Sequence, residues 1–189
     1  MSFVHLHLHT QYSLLDGACR FGQLFDAAKA NGQTAVAITD HGNMFGAIEF
    51  YKGAKKHGIK PIIGCEVYVA VRSRHDKVHS IDSERHHLVL LCENETGYKN
   101  LCYLVSMAFT EGFYNKPRID WELLHEYAEG LICLSGCVAG AIPRMINAGN
   151  YEGAKKKALE LSELFGKDGF YLEIQDHGLE AEKRAAEGL

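Results

Sequence analysis

The chain has 189 residues, enough for one domain with a substantial core, and its 47% hydrophobic and 23% charged residues are typical of a globular protein. Its formal net charge of -4 argues against a stand-alone, nonspecific nucleic-acid binder, which needs a clustered basic surface. No apolar leader follows Met1, no apolar run is long enough to span a membrane, and the six cysteines form no Cys-x-x-Cys pair. We therefore expect a cytoplasmic protein without a membrane partner.

The hydrophobic pattern predicts short strands that alternate with amphipathic helices. Strands are expected at residues 3–9, 34–39, 61–70, 87–92, 131–134 and 170–174. Helices are expected at 21–31, 44–57, 98–109, 121–128, 142–148, 151–165 and from about 179, with loops at 71–85 and 112–120. This alternation predicts an α/β fold with a parallel sheet or barrel. The chain ends in a charged helix with no closing strand, so we expect a fragment of a larger barrel.

The first polar signal is the run of His5, His7 and His9. Strand alternation would place all three imidazoles on one face, with the intervening leucines on the other. Neutral imidazole is the commonest metal ligand, so the run predicts a metal site. A polar, solvated strand face is the alternative.

Further polar residues follow or lie within later strands, where parallel α/β folds form their ligand sites. His41 follows the second strand and precedes Gly42, which permits a tight turn, although Asp40 in the same run could simply cap a helix. Glu66 lies in an apolar strand, where a carboxylate is costly unless it binds a metal or pairs with a basic side chain.

Three weaker signals complete the pattern. His86 and His87 open the strand at 87–92, and Cys137 follows the strand at 131–134, where a thiolate suits zinc or a small residue is simply buried. Asp16, after the first strand, could cap a turn or bind metal. The shared position of these residues near strand ends predicts one metal cluster. Mixed imidazole, carboxylate and thiolate ligands favour zinc, with manganese or iron as the alternatives.

Seven runs of the sequence resemble one family. They are FVHLHLHT at 3–10, YSLLDG at 12–17, AITDHGNM at 37–44, KPIIGCEVY at 60–68, HLVLL at 87–91, ETGY at 95–98 and LSGC at 134–137. Together they resemble the PHP (polymerase and histidinol phosphatase) domain at the N-terminus of bacterial DNA polymerase III alpha subunits. The resemblance covers essentially the whole chain, so residues 1–189 are predicted to be one such domain.

The resemblance implies a distorted, TIM-like (β/α)7 barrel, here truncated at its C-terminal end, with a centre for up to three metals. His7 and His9 would hold one metal with Glu66, which would bridge to a second metal held also by His87 and Cys137. Asp16 and His41 would contribute to a third. The last two ligands, from an Asp-x-His motif, would lie beyond residue 189, and His5 would have an outer role at most.

The resemblance also implies an activity. It is metal-dependent phosphodiester hydrolysis as a 3′–5′ proofreading exonuclease, with His7, His9 and Glu66 catalytic through their bound metals. The substrate would be the 3′ end of a DNA primer, delivered by the rest of the polymerase, and the partners would include replicase subunits such as a proofreading subunit or sliding clamp. The alternative is a catalytically inactive, metal-stabilised docking module of the polymerase.

Overall fold

The computed structural model describes residues 3–189, which form eight helices and six strands. The helices are α1 (Phe21–Ala30), α2 (Ala47–His57), α3 (His79–Asp82), α4 (Glu95–Thr110), α5 (Trp121–Glu126), α6 (Ala141–Asn147), α7 (Tyr151–Phe165) and α8 (Glu180–Gly188). The strands are β1 (Ala35–Ile38), β2 (Lys60–Ala70), β3 (Arg85–Cys92), β4 (Arg118–Ile119), β5 (Leu131–Leu134) and β6 (Phe170–Tyr171). Within these described residues, no helix is both long and apolar enough to cross a bilayer.

The strands form one mixed sheet rather than the parallel sheet that the alternating pattern predicted. The strand order is β1-β2-β3-β5-β6, with β4 paired to β2. The pairs β1–β2, β2–β4 and β5–β6 are parallel, whereas β3 runs antiparallel to both β2 and β5. Strands β1 and β6 end this path and do not pair with each other in the described part of the chain, so the closed seven-stranded barrel stays a prediction.

The reversal at β3 has its cause in the linker from β2 to β3. A parallel connection needs a crossover that usually contains a full helix. This linker, predicted to be a loop, contains only the four-residue helix α3. Its backbone is held beside β4, which pairs with the last part of β2, so the chain re-enters the sheet at the end where β2 leaves it.

The strand predicted at residues 3–9 is absent, and this prediction was wrong. The segment runs beside β1, where His5 O accepts from Ala37 N–H at 2.9 Å and Leu8 O accepts from Thr39 N–H at 3.0 Å. The Leu8 N–H donates instead to the Thr39 side-chain hydroxyl, at 2.7 Å. A side-chain acceptor replaces a backbone one there, which interrupts the ladder that defines a strand.

Two apolar clusters fix which face of the sheet can hold a polar site. Val67 and Val69 of β2 and Leu88 of β3 pack in the larger cluster against α4 and α5, and a smaller cluster joins β1 to α1 and α2. Because successive strand residues point to opposite faces, Glu66 and Tyr68 of β2 project away from the larger cluster. The apolar packing behind β2 and β3 therefore determines which face carries Glu66, and Val89 and Leu91 add a third, smaller apolar cluster to that face.

A fully buried arginine orders the linker between β2 and β3. Arg118, which opens β4, is 0% exposed and donates to the backbone oxygens of Gly112, Arg74, Asp76 and Asp82 at 2.7 to 3.3 Å. Four backbone acceptors satisfy a buried guanidinium that would otherwise be costly. The contacts hold the linker and β4 together at one rim of the sheet.

Asp120 secures the same rim, because its buried carboxylate caps α5 and binds Arg74. It accepts from Leu123 N–H at 3.0 Å, from Arg74 N–H at 2.9 Å and from the Arg74 guanidinium at 3.0 Å. Burial raises the pKa of this carboxyl group, but these N–H groups and the Arg74 charge lower it by more, so the pKa lies below its ordinary value. The ionised form therefore stabilises the fold above about pH 4, and that contribution is lost as the pH falls further.

We expect Asp120→Ala to lower the free energy of unfolding at pH 7 by about 2 kcal/mol, because the helix loses its cap and Arg74 loses a partner. The matched control is Glu163→Ala, which removes an exposed carboxylate of α7. Urea unfolding at pH 7 and pH 3 measures both variants against the parent chain. The Asp120 effect should shrink at pH 3, and an effect no larger than that of the control at pH 7 would contradict this role.

Candidate metal centre

The candidate site has a single buried carboxylate at its centre, that of Glu66 on β2, which is 1% exposed. Four imidazoles surround it. His7 Nε2 lies 3.1 Å and His87 Nδ1 3.0 Å from Oε1, while His9 Nε2 lies 4.0 Å from Oε2, which also contacts His41 Nδ1. Residues that are distant in sequence thus converge on one side chain.

The backbone explains this convergence. His7 and His9 come from the segment beside β1, and His41 from the turn after β1, where Gly42 N–H donates to Glu66 O at 2.8 Å and Glu66 N–H donates to Asp40 O at 3.1 Å. His87 lies near the start of β3, opposite Tyr68. Because β3 is antiparallel to β2, its first residues meet the last part of β2, which brings His87 to Glu66.

The other predicted site residues lie at the edges of this cluster. Asp16 is mostly exposed, and its Oδ2 lies 3.1 Å from His41 Nε2. Cys137 Sγ lies 3.7 Å from His87 Nδ1 and 3.9 Å from Glu66 Oε1. All seven residues predicted as metal ligands therefore lie in one connected group. His41 belongs to the same group of ligand atoms as Glu66 and His87, whereas the resemblance assigns it to a third metal.

Two predicted neighbours lie elsewhere. His5 is exposed, and its ring packs edge-on against Phe3. His86 pairs with Val69, so it projects from the opposite face to His87. The alternation that unites His7 with His9 does not extend to His5, because the segment is not a regular strand.

Asp40 does not cap a helix, so the alternative role considered for it was wrong. The residue before α2 is Gly46, whereas the buried Asp40 carboxylate accepts from Thr10 N–H at 2.6 Å and from the hydroxyls of Thr10 and Ser13, both at 2.7 Å. These bonds tie the loop at 10–16 to the end of β1. They hold His9, before this loop, and Asp16, at its end, beside His41.

Gly42 is required at the turn for two reasons. Its φ is 61°, in the left-handed region that glycine adopts without strain. A Cβ there would also lie 2.9 Å from the Tyr68 ring and 3.0 Å from Pro117. The turn therefore lets Tyr68 pack directly beneath the backbone that carries His41.

The contacts of two histidines with carboxylates favour a positive charge, either a proton or a metal ion, within the cluster. Each ring nitrogen of His7 faces a carboxylate, with Nδ1 at 2.6 Å from Glu173 and Nε2 at 3.1 Å from Glu66, and His41 lies likewise between Asp16 and Glu66. A neutral imidazole has one N–H, so its second nitrogen would direct a lone pair at a carboxylate. Only a proton or a metal ion between them removes this repulsion.

The pKa shifts follow from this arrangement. Burial lowers the pKa of His7, but the hydrogen bonds with Glu173 and Glu66 raise it by more, to about 9. Burial dominates at His9 and lowers its pKa to about 4, which leaves a free lone pair at neutral pH. Burial would raise the pKa of Glu66, yet its histidine partners hold it well below the usual range. Burial and Glu66 raise the pKa of the Cys137 thiol to about 11.

Two groups of ligand atoms have the spacing that a metal ion needs. Within each, the atoms lie within 4.8 Å of one another; the groups are His7, His9 and Glu66, and His41, Glu66 and His87. Glu66 belongs to both, and its two oxygens face different histidines. A bridging carboxylate with imidazoles on either side and a thiol at the edge is a donor set that suits zinc, manganese or iron.

Glu173 is a member of the site that sequence reasoning missed. It follows β6, and its Oε1 accepts from Gln175 Nε2 as well as facing His7 Nδ1, both at 2.6 Å. Its N–H donates to Ser135 Oγ at 2.8 Å, and its Oε2 is buried with no hydrogen-bond partner among residues 3–189. A carboxylate in the apolar run at 170–174 was an available signal, of the same kind that identified Glu66.

If His7 binds a metal, Glu173 should orient the His7 ring and so raise the affinity for that metal. A carboxylate that accepts the second N–H of a metal-bound imidazole fixes its orientation, and losing such a partner weakens metal affinity about 10- to 100-fold. We expect that loss in Glu173→Gln, measured by competition with a chromophoric chelator. Glu163→Gln, on the exposed face of α7, should leave the affinity unchanged. Equal affinities in the two variants would contradict the orienting role.

Comparison with known proteins identifies the family of this chain. Residues 5–177 match the PHP domain family. The chain is 54% identical over 187 residues to the DNA polymerase III subunit alpha of Treponema pallidum, which covers 98% of this chain and 16% of that protein. It is 52% identical over 178 residues to the subunit of the same name from Borreliella burgdorferi, which covers 94% of this chain and 15% of the relative.

The chain thus spans about one sixth of the length of these relatives. A solved amidohydrolase from Chromobacterium violaceum overlaps 56% of this chain and 32% of its own, at a TM-score of 0.41 and 28% identity, an overlap too small to define a common fold. The family match covers most of the chain. The chain belongs to the PHP domain family.

Proposed function

We propose that this chain is the phosphoesterase domain of a bacterial DNA polymerase III alpha subunit and that it cleaves phosphodiester bonds at the 3′ end of a DNA primer. The observation that supports this most strongly is the convergence of four imidazoles on one buried carboxylate, Glu66. The relatives supply the polymerase context, since both are named DNA polymerase III subunit alpha. The reaction would be 3′–5′ proofreading exonucleolysis.

The chain's own residues would act by holding and orienting. His7 and His9 would hold one metal with Glu66, and Glu66 would share a second with His87 and Cys137, while Asp16 and His41 would contribute to a third. Zinc suits this donor set best, with manganese or iron as alternatives. Bound metals of this kind lower the pKa of a water ligand and neutralise phosphate oxygens. Glu173 would fix the His7 ring.

The substrate and partners follow from the same proposal. At a net charge of -4, this domain would depend on the rest of the polymerase to deliver the primer end. Other replicase subunits, such as a proofreading subunit or a sliding clamp, would bind through the full-length protein. The site of action would be the bacterial cytoplasm, where the chromosome is replicated.

A second candidate function is a metal-stabilised docking module without hydrolytic activity. The observation that favours it is a row of exposed aromatic side chains, Phe45, Phe109 and Phe113, whose neighbouring ring centroids lie 5.9 and 6.3 Å apart. Contiguous exposed apolar groups are typical of contact surfaces. Under this alternative, ligand substitutions would lower the melting temperature and change no hydrolysis rate.

The test is exonuclease activity of His9→Ala and Glu66→Ala in the full-length polymerase subunit. We expect each to reduce 3′-end hydrolysis by more than about a hundredfold, because even outer-shell partners of a metal contribute about 10- to 100-fold. The matched control is His5→Ala, since His5 is an exposed histidine of the same segment. DNA synthesis by each variant reports that the polymerase is intact.

Either of two results would contradict the proposal. One is parental exonuclease activity in both ligand variants, in preparations free of other nucleases. The other is a parent protein that has no exonuclease activity and whose ligand variants melt at a lower temperature, which would favour the docking module.

A further inference from the structure

Two basic side chains lie over one aromatic ring beside the metal centre. The guanidinium carbon of Arg85 is 5.4 Å and the Lys116 Nζ is 5.8 Å from the ring centroid of Tyr68. The same ring is 5.1 Å from the His87 ring and stacks on the His41 ring at 6.2 Å. One buried tyrosine therefore connects the two cations to two of the histidines that contact Glu66.

The sheet register explains why Arg85 faces the centre. Arg85 pairs with Ala70 and His87 pairs with Tyr68, so Arg85 and His87 project from the same face of β3. Arg85 lies two residues before His87, toward the rim where β2 leaves the sheet. Its position follows from the same strand pairing that places His87 beside Glu66.

Lys116 reaches this rim from a different element. It precedes Pro117, which lies close to Gly42 in the turn that carries His41, and the next residue is the buried Arg118 that ties β4 to the linker. Tyr114 N–H also donates to Lys116 O at 3.0 Å. This backbone bond and the packed side chains of the next two residues fix the position of Lys116. Two independent parts of the fold place positive charge over Tyr68.

Neither cation has an acidic partner, unlike most arginines near this rim. Arg72, Arg74 and Arg144 lie within 4.0 Å of carboxylates on Asp82, Asp120 and Glu84. Among residues 3–189, no carboxylate lies within that distance of Arg85 or Lys116. Arg85 donates to Ser83 O at 3.0 Å, and its Nε is buried without a hydrogen-bond partner.

An unpaired guanidinium with a buried free donor is costly in the unbound protein, which makes a missing acceptor the simplest explanation. Phosphate is the anion that fits, because arginine binds its oxygens through a planar pair of donors and lysine adds a point charge. The adjoining centre has the ligands for metals that act on phosphate esters. The carboxylates of that centre lie too far away to be the partners of these two cations.

We propose that Arg85 and Lys116, supported by Tyr68, form a phosphate-binding subsite at the rim of the metal centre and hold the phosphate group of the substrate. The inference rests on the proposed phosphoesterase function for the identity of the substrate. The anion site itself can be tested without hydrolysis. Arg85 and Lys116 are positioning residues in this account, since the reacting bond would lie at the metals.

The test compares Arg85→Met, Lys116→Met and the double variant in the full-length, metal-loaded protein. Calorimetric titration with inorganic phosphate gives binding, and a single-stranded oligonucleotide with a free 3′ end gives KM and kcat. Each single variant should weaken phosphate binding about tenfold, the usual effect of losing a charged hydrogen bond, and should raise KM more than it lowers kcat. Arg85→Lys should recover part of the loss, because it restores the charge but not the paired donors.

The control is Arg20→Met, which removes an exposed arginine before α1, and metal content is measured for every variant. Unchanged phosphate affinity in the double variant would overturn the inference. If the Arg85 variant also melts at a lower temperature, Arg85 instead holds the linker through its bond to Ser83 O. A parent protein that binds no phosphate would also overturn it. Phosphate binding that depends on both cations, in a parent that hydrolyses no DNA, would support the subsite and contradict the proposed exonuclease.

Discussion

The structure depends on one buried carboxylate that four histidines approach. A lone carboxylate in a strand that is otherwise apolar would destabilise the fold, so the elements around Glu66 must supply compensating groups. The segment before β1, the turn after it and the first residues of β3 all supply an imidazole. Without a cation, His7 and His41 each lie between two carboxylates with only one N–H when neutral. Metal ions would satisfy the carboxylates and the free nitrogen lone pairs at once.

Charge is distributed in two layers around this point. In the inner layer, the Glu66 carboxylate lies among the histidines. Glu173 lies on the far side of His7, and Asp16 lies beside His41. The two unpaired cations lie farther out, over Tyr68 at the rim. The buried Arg118 helps to position the outer layer, because it fixes the linker and β4, whose neighbours carry those cations. A metal centre with an outer basic rim is an arrangement suited to an anionic ester.

Residue type and position near strand ends were enough to predict that these polar side chains lie together, but not the geometry that assembles them. Glu66 stood out because a carboxylate in an apolar strand needs a partner. The direction of β3 could not be predicted, since the linker that sets it is held by a long-range contact from Arg118. The interruption of the first strand involves a side chain, the Thr39 hydroxyl, which takes the Leu8 N–H and which a hydrophobic pattern does not reveal. Glu173 was missed although it offered the same signal as Glu66, a carboxylate in an apolar run; only its partner, His7, 166 residues earlier in the chain, could not be identified from the sequence.

The central claim is that this convergence of side chains is a metal centre. The most direct measurement is metal content by plasma mass spectrometry, after reconstitution with zinc, manganese or iron and removal of loose ions, for the parent chain and for Glu66→Gln. Two ligand groups share Glu66, so the account predicts about two tightly held ions per parent chain and a marked loss in the variant, which keeps the shape of the side chain but not its charge. Negligible metal in the parent chain, or equal metal in both proteins, would contradict the account.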